Sequence, residues 1–337
     1  MEPHPSALMM LLLGLAAGGA QAADVEGALR VTGRLMLDGN APRGFSDGRT
    51  RPDTSDLVLS VLAAGEGRYT AERWQLVGRY DAGGRKYLAY PQEDVLVQAA
   101  SLEGSLALGP MMGVGLEGRG KDRRGGSRAY TDLGASAFLE YAPDVRLALR
   151  VRAGLHRFLY RPDFSASYGG PEAGFLLRYR FDRRHALTLS GEYGSRRYAM
   201  AATPPPGQEP EREQRREDGA LLASVGYSWR GPVLLGLGYA WQEVGSNSFG
   251  ESVQRHRLSG NAGVRLPWKW MLLAQGSLGL TLYPDGLYLS EDILLVDDDA
   301  GENSLSLRLT RPLSEHLDVE LSYAVYGTRL PRNGLRY

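Results

Sequence analysis

The chain has 337 residues, and its 39 basic and 39 acidic side chains leave no formal net charge. This balance argues against a nucleic-acid-binding protein, which normally carries an excess of basic residues. The chain has no Cys, which excludes disulfides and a lipid anchor on cysteine, and it has no internal run of the roughly 20 apolar residues that a transmembrane helix needs.

Residues Met1–Ala22 have the features of a secretory signal peptide. Leu8–Gly19 is an apolar run too short to span a bilayer, and Ala20-Gln21-Ala22 is an A-x-A cleavage site. The residues before the run include no Lys or Arg, which departs from the usual pattern. We predict cleavage before Ala23 rather than a buried N-terminal helix, because nothing amphipathic follows. Residues 23–337 are then the mature domain.

From Glu26 onward, apolar and polar residues alternate with the period of two that is typical of β-strands with two different faces. This pattern predicts fifteen strands: Glu26–Leu37, Ser55–Ala64, Arg68–Tyr80, Val95–Leu108, Met111–Arg119, Ala129–Tyr141, Val145–Leu159, Glu172–Phe181, Ala186–Tyr198, Gly219–Trp229, Val233–Val244, Val253–Leu266, Trp270–Tyr283, Ser304–Thr310 and Leu317–Gly327.

The connections between these strands distinguish a barrel from a soluble sandwich. Short turns are predicted at Gly65-Glu66-Gly67, Gly109-Pro110, Ala142-Pro143-Asp144, Asp182–His185, Arg230-Gly231-Pro232, Pro267-Trp268-Lys269 and Arg311–His316. Longer polar segments alternate with them: Asp38–Asp53, Asp81–Asp94, Gly120–Arg128, Tyr160–Gly170, Ala199–Asp218, Gly245–Ser252 and Pro284–Asn303. A transmembrane antiparallel up-and-down β-barrel has this alternation, with short periplasmic turns and long extracellular loops, whereas a Greek-key sandwich does not require it.

Aromatic residues mark both ends of the predicted strands, as in the aromatic girdles of outer-membrane barrels. Those beside short turns are Phe181, Tyr227, Trp229, Trp268 and Trp270, and those near long loops are Tyr80, Tyr198, Tyr239, Trp241 and Tyr283.

The strand number has two interpretations, because a single-chain bacterial barrel prefers an even count. We expect about 16 strands, within a range of 14–18. Gly334–Tyr337 has the pattern of a returning strand that stops after a few residues, so the last strand would be incomplete. Alternatively, Leu287–Val296 is itself a strand, which interrupts the pattern of loops.

On these features the chain resembles Gram-negative outer-membrane β-barrel proteins of porin-like size. Many such proteins end in an aromatic residue preceded by alternating apolar residues; Leu335 and Tyr337 fit this pattern, but Pro331 and Asn333 do not. The segments Ser246–Gly250, Arg255–Leu258 and Leu266-Pro267-Trp268 are also similar to barrels associated with surface-polysaccharide export or envelope machinery. The resemblance implies an outer-membrane location, and no functional residues are carried over from it.

If the apolar residues face lipid, the alternate residues face the interior, where Arg outnumbers acidic residues. The predicted pore-lining residues are Arg146, Arg150, Arg152, Arg178, Arg180, Arg255, Arg257, Arg265, Arg308, Glu140, Glu192 and Glu320. A basic wall favours the passage of anions. The alternative is that Arg and Glu pair across the wall and only hold the barrel in shape.

Catalysis at the outer rim needs a His with a nucleophile or carboxylate partner. His156 is the one His predicted to face the interior there, and its sequence neighbours Arg152 and Arg157 supply no partner, although another strand can. No catalytic motif is present, so we predict that the protein is not an enzyme. Asp297-Asp298-Asp299 lacks the spacing of a known calcium loop, and we assign no metal or cofactor.

Three functions remain open. The first is a channel for passage or export of small polar or anionic solutes, or of polysaccharide. The second is a non-conducting scaffold or subunit of an envelope machine with protein partners, closed by loops such as Pro284–Asn303, whose apolar segment Ile293–Val296 is unusual for a solvated loop. The third is a rim enzyme that uses His156. In each case outer-membrane lipid surrounds the barrel, and no nucleic acid is expected as a partner.

Overall fold

The structure is a computed structural model that describes residues 24–39, 41, 55–125, 129–208, 214–282, 284, 303–314 and 317–327. The predicted signal peptide, the alternative strand Leu287–Val296, the returning segment Gly334–Tyr337 and the acidic cluster Asp297–Asp299 lie outside the described residues.

The described chain is almost entirely β-structure. The fifteen strands are β1 Asp24–Asp38, β2 Asp56–Thr70, β3 Trp74–Tyr87, β4 Val95–Ala107, β5 Met112–Arg124, β6 Tyr130–Tyr141, β7 Leu147–Tyr160, β8 Tyr168–Arg180, β9 His185–Ala201, β10 Arg215–Arg230, β11 Val233–Ser246, β12 Val253–Arg265, β13 Met271–Leu282, β14 Asn303–Pro312 and β15 Asp318–Gly327. Short 3-10 turns cover Pro91–Glu93, Phe164–Ala166 and Pro267–Lys269. Among the described residues, no helix combines the length and apolar character needed to cross a membrane.

All fifteen strands belong to one sheet, in which each strand pairs with the next in sequence order. Every pairing is antiparallel, as between β6 and β7, where Tyr130 lies opposite Tyr160. At one end of the sheet the connections are tight turns, such as residues 231–232, and at the other they are longer loops, such as residues 161–167. The predicted up-and-down antiparallel fold is therefore confirmed, and the two ends are called the turn end and the loop end below.

Several strands are longer than predicted. β2 continues through Gly65-Glu66-Gly67, so the turn predicted there is wrong and the chain reverses at residues 71–73 instead. In this segment Glu66 lies directly opposite Arg79 on β3, and its carboxylate lies 3.1 Å from the Arg79 guanidinium. β3 and β5 likewise extend to Tyr87 and Arg124, into segments predicted as loops. Since about 9–11 tilted residues cross a bilayer, these strands are long enough to project beyond it.

The sheet curls until its two edge strands meet. Fifteen flat strands would separate β1 from β15 by about 67 Å at roughly 4.8 Å per strand. Instead, the guanidinium of Arg34 on β1 lies 3.4 Å from the carboxylate of Glu320 on β15, which also contacts Arg308 on β14 at 3.3 Å. Within the described residues no backbone ladder joins β1 to β15, so the barrel is curled round without a hydrogen-bonded seam.

The two faces of the curled sheet differ in chemistry. Side chains that form ion pairs across several strands lie on the concave face, called the inner face below. The outer face is apolar and open: Leu116, Leu155, Leu237, Leu278 and Leu321, on five different strands, are each 64–70% exposed. An apolar surface that extends around a sheet of this size far exceeds the patches found on soluble monomers.

Two tight turns at the turn end are each fixed by one carboxylate. Asp144 accepts hydrogen bonds from the backbone N–H groups of Arg146 and Leu147, both at 2.8 Å. Asp182 accepts from those of Arg184 at 2.7 Å and His185 at 2.8 Å. The side chain thus satisfies backbone donors that the reversal leaves without a strand partner. These hydrogen bonds hold the pKa of the Asp182 carboxyl below its ordinary value.

We expect Asp182→Ala to lower the urea midpoint of the refolded barrel at neutral pH. Because the folded-state pKa of Asp182 is lowered, its contribution is complete above the unfolded value of about 4. It is lost as the pH falls through the folded value, so the difference between wild type and variant should shrink in acid. Asp182→Asn, which keeps an acceptor oxygen, is the control and should be less destabilising at neutral pH. An unchanged midpoint in Asp182→Ala would contradict this role.

Candidate functional site

The inner face carries ion pairs that brace distant strands. Arg150 on β7 reaches across the concavity to Glu103 on β4, with guanidinium–carboxylate distances of 2.7 and 3.1 Å. Its Nε lies 2.9 Å from Glu140 on β6, a charge contact without hydrogen-bond alignment, and its guanidinium lies 3.8 Å from the centre of the Phe138 ring. One cation thus joins β4, β6 and β7 across the intervening β5.

Two further pairs repeat this arrangement. Arg119 on β5 donates to both carboxylate oxygens of Glu172 on β8, each at 3.0 Å, and Glu172 is only 8% exposed. Arg152 on β7 pairs with Glu192 on β9. Each pair skips at least one strand, which requires the inner face to be concave.

The structure divides the predicted pore-lining residues into two groups. Arg150, Arg152 and Arg308 are ion-paired, and Glu140, Glu192 and Glu320 are among their partners. Strand register puts Arg178, Arg180, Arg255, Arg257 and Arg265 on the same face. Arg146 lies in a tight turn at the turn end, just before β7. Pairing with carboxylates therefore accounts for Arg150, Arg152 and Arg308. That this face lines a pore stays a prediction.

Four of these arginines, Arg178, Arg180, Arg257 and Arg265, are called the cationic strip below. From β8 to β13, each inner-face carboxylate that the structure describes is paired: Glu172 with Arg119, Glu192 with Arg152, and Asp218 with Arg216 at 2.8 Å. In the same region Arg178, Arg180, Arg257 and Arg265 form no ion pair with the described residues. This half of the inner face carries uncompensated positive charge.

Aromatic rings line the inner face at the loop end. Tyr130, Phe158, Tyr168 and Tyr198, on β6 to β9, form a row with neighbouring ring centroids 5.0–5.2 Å apart. The prediction that Tyr198 belongs to an outer girdle is wrong: register places it opposite Tyr168 on the inner face, and it is 7% exposed. The sequence could have shown this, because Tyr198 is an even number of residues from Glu192 and so lies on the same face of β9. Tyr80, Tyr239 and Trp241 do lie on the outer face.

Three loops pack over the inner face at the loop end. The backbone N–H groups of Ala89 and Tyr90 donate to the buried carboxylate of Asp56, at 3.0–3.1 Å. Ala166, in the loop of residues 161–167, is buried against the aromatic row. Glu251, in the loop of residues 247–252, lies 2.7 Å from Arg216. Together these contacts hold the three loops against inner-face residues at the mouth of the barrel.

His156 has a carboxylate partner that sequence neighbours did not provide. Its Nε2 lies 2.7 Å from Asp132 Oδ1 on β6, and its ring contacts Tyr168 edge-on at 5.6 Å. Both residues line a cleft of about 360 Å³ with Arg119 and Glu172. Within the described chain no Ser or Thr hydroxyl is hydrogen-bonded to His156, so the pair has no nucleophile of the Ser–His type.

A second hollow, of about 490 Å³, lies on the inner face across β9 to β14. Its lining is mostly hydroxyl, amide and glycine, with one charged side chain, Arg257. The polar uncharged members are Thr188, Ser228, Ser259, Asn261, Gln275, Ser277, Ser304 and Ser306. These residues were not predicted as a site, because they carry no charge. The signal was the run Arg257-Leu258-Ser259-Gly260-Asn261, whose alternate residues are polar.

No protein-family model matches the chain, and no curated protein matches it. Among solved structures, a mutant of the monoaromatic hydrocarbon channel TodX is 10% identical, with 93% of this chain and 86% of that chain covered and a TM-score of 0.42. The siderophore receptor PirA from Pseudomonas aeruginosa is 12% identical, with 92% and 72% covered and a TM-score of 0.35. Likeness at this level carries no argument about function, so the argument below rests on the geometry of the barrel.

We expect Arg150→Gln to destabilise the barrel by about 1–3 kcal/mol, because Glu103 and Glu140 lose their shared cation in a partly desolvated site. Urea unfolding in detergent measures the effect. Adding Glu103→Gln should recover part of the loss, since it removes one uncompensated charge. Arg178→Gln, which breaks no ion pair with the described residues, is the matched control. Equal stabilities of Arg150→Gln and Arg178→Gln would contradict the bracing role.

Proposed function

We propose that this protein is an outer-membrane β-barrel channel that passes polar solutes and favours anions. The observation that carries the proposal is the contrast between an apolar outer face and a polar concave face with uncompensated arginines. An apolar exterior is stable against lipid acyl chains, and a polar interior is stable only in contact with water or a polar solute. The predicted signal peptide supports export to that membrane.

The charge distribution supports anion preference. Braced pairs such as Arg150–Glu103 are locally neutral and present little net field. The cationic strip of Arg178, Arg180, Arg257 and Arg265 has no such compensation from the described residues. In a low-dielectric wall around a narrow water column, uncompensated cations lower the energy of an entering anion.

We expect the refolded full-length barrel to conduct in planar bilayers, with a reversal potential in a KCl gradient that indicates chloride preference. Replacing Arg178 and Arg257 together by Gln should move the reversal potential toward that of a non-selective pore. The control is Arg157→Gln, which removes one positive charge from the outer face of β7 and should leave the reversal potential unchanged. A shift of equal size in the control, or no conductance from verified folded barrel, would overturn the proposal.

A second candidate function is a barrel whose lumen is normally closed, as a scaffold or subunit of an envelope assembly. The observation that favours it is the set of three loops packed over the inner face at the loop end. The loop Pro284–Asn303, predicted to close the lumen, lies almost wholly outside the described residues. Protein partners for such an assembly stay a prediction.

Asp56→Ala separates the two candidates, because it removes the carboxylate that holds residues 89 and 90 over the mouth. If the loops close the barrel, wild type should be silent and Asp56→Ala should conduct. If the channel is open, both should conduct, and the variant should show a larger or noisier current. Asp144→Ala, which loosens a turn at the opposite end, is the control and should leave current amplitude unchanged.

We propose no enzymatic activity. The pair His156–Asp132 supplies a base and an orienting carboxylate, but it lacks a hydrogen-bonded nucleophile within the described residues. That this protein is not an enzyme stays a prediction, which hydrolysis assays on wild type and His156→Ala would test.

A further inference from the structure

The hollow on β9 to β14 has the chemistry of a ligand site rather than of a braced wall. Its lining combines one guanidinium with rows of hydroxyls and amides, whereas the inner face of β4 to β9 combines arginines with carboxylates and aromatic rings. We propose that this hollow is the solute-selecting site of the barrel and that it binds a polyhydroxylated anion, namely a sugar acid. The inference rests on the proposed channel function and names its substrate class.

Arg257 provides the anion-binding group. Register places it opposite Ala240 on β11 and Gly279 on β13, neither of which can neutralise it. No carboxylate lines the hollow, and among the described residues no ion pair or hydrogen bond engages the Arg257 side chain. A guanidinium in this situation is compensated by water or by an incoming carboxylate, to which it donates two parallel hydrogen bonds.

Amides and hydroxyls provide a second recognition element beside it. Asn261 lies opposite Gln275, and Gln275 lies opposite Ser306, so three polar groups follow one another across β12, β13 and β14. The adjacent row contains Ser259, Ser277 and Ser304. The amides of Asn261 and Gln275 form no hydrogen bond with the described protein, which leaves donors and acceptors for sugar hydroxyls.

Two glycines on β11 make room for these polar side chains. A Cβ added at Gly236 would lie 2.3 Å from Asn261 Oδ1, and one added at Gly238 would lie 2.8 Å from Ser259 Oγ. The amide of Asn261 and the hydroxyl of Ser259 therefore lie directly over the glycine backbone of β11. This packing widens the hollow and fixes where its polar groups stand.

The two elements together select the class of solute. A small inorganic anion would accept from Arg257 and from one or two nearby donors, and would leave most of the amides and hydroxyls unused. A neutral sugar would use the rows and leave the guanidinium in water. A sugar acid engages both, because it carries one carboxylate on a ring of hydroxyls.

The test is block of the single-channel current by three probes at equal concentration: glucuronate, glucose and acetate. We expect glucuronate to block at the lowest concentration and glucose and acetate only weakly. Since a charge-assisted hydrogen bond is the strongest contact in the site, Arg257→Gln should raise the blocking constant for glucuronate about tenfold. The conservative Arg257→Lys should lie between wild type and Arg257→Gln.

Two further variants distinguish binding of glucuronate in this hollow from a general attraction of anions by positive charge. Gln275→Ala should weaken block by glucuronate while leaving the chloride reversal potential unchanged, because it removes an amide and no charge. Arg178→Gln, the matched control on β8, should lower chloride preference but raise the blocking constant for glucuronate much less than Arg257→Gln does. Circular dichroism of each variant establishes that the β-structure has formed.

Equal block by glucuronate and acetate in a conducting wild-type barrel would overturn the sugar-acid site while the channel function stands. So would equal loss of block in Arg257→Gln and Arg178→Gln. No current from folded wild type and from the mouth variant Asp56→Ala would overturn the channel itself, and the site with it.

Discussion

The rest of the structure depends on one constraint: side chains alternate between the two faces of a strand, and here the sheet is curled until its edges meet. Every second residue must then point into a shared interior, and the others must point outward. The hydrogen bonds of the backbone are made with the neighbouring strands, so the side chains alone determine which face contacts lipid and which contacts water. The outer face is mainly apolar, and the inner face carries the ion pairs, hydroxyls and amides, which is the condition for a barrel with lipid outside and water inside.

Within that constraint the inner face serves two purposes. Across β4 to β9, arginines and carboxylates meet over intervening strands, as in Arg150–Glu103 and Arg119–Glu172. These contacts hold the curvature, and they neutralise the charge that they bring in. The hollow across β9 to β14 is lined mainly by Ser, Gly, Asn and Gln, and no carboxylate lines it beside Arg257. Bracing is concentrated on one side, which leaves the other side free to meet a solute.

Much of the fold could be predicted from the sequence because alternation is a local property. Strand order and the parity of short and long connections follow from reading consecutive segments, and they were confirmed. The bounds were less predictable: Gly65-Glu66-Gly67 has turn-like composition, but this segment pairs with β1 and β3 as part of the ladder. The side-chain pairings of the candidate site were the least predictable part. Asp132 lies twenty-four residues before His156, and Glu103 lies forty-seven before Arg150. Such pairings depend on curvature and stagger, which no single segment encodes.

The central claim is that the sheet curls on itself so that β1 and β15 are neighbours. Because the chain has no native Cys, spin labels can be placed by single substitutions on the outer face. Double electron–electron resonance would measure the distance between two spin labels. The two labelled pairs are Val31–Leu321, on β1 and β15, and Val31–Leu155, on β1 and β7. A curled barrel predicts that the first pair is the closer one, although it is separated by more strands. A longer distance for Val31–Leu321 than for Val31–Leu155 would show an open sheet and contradict the account.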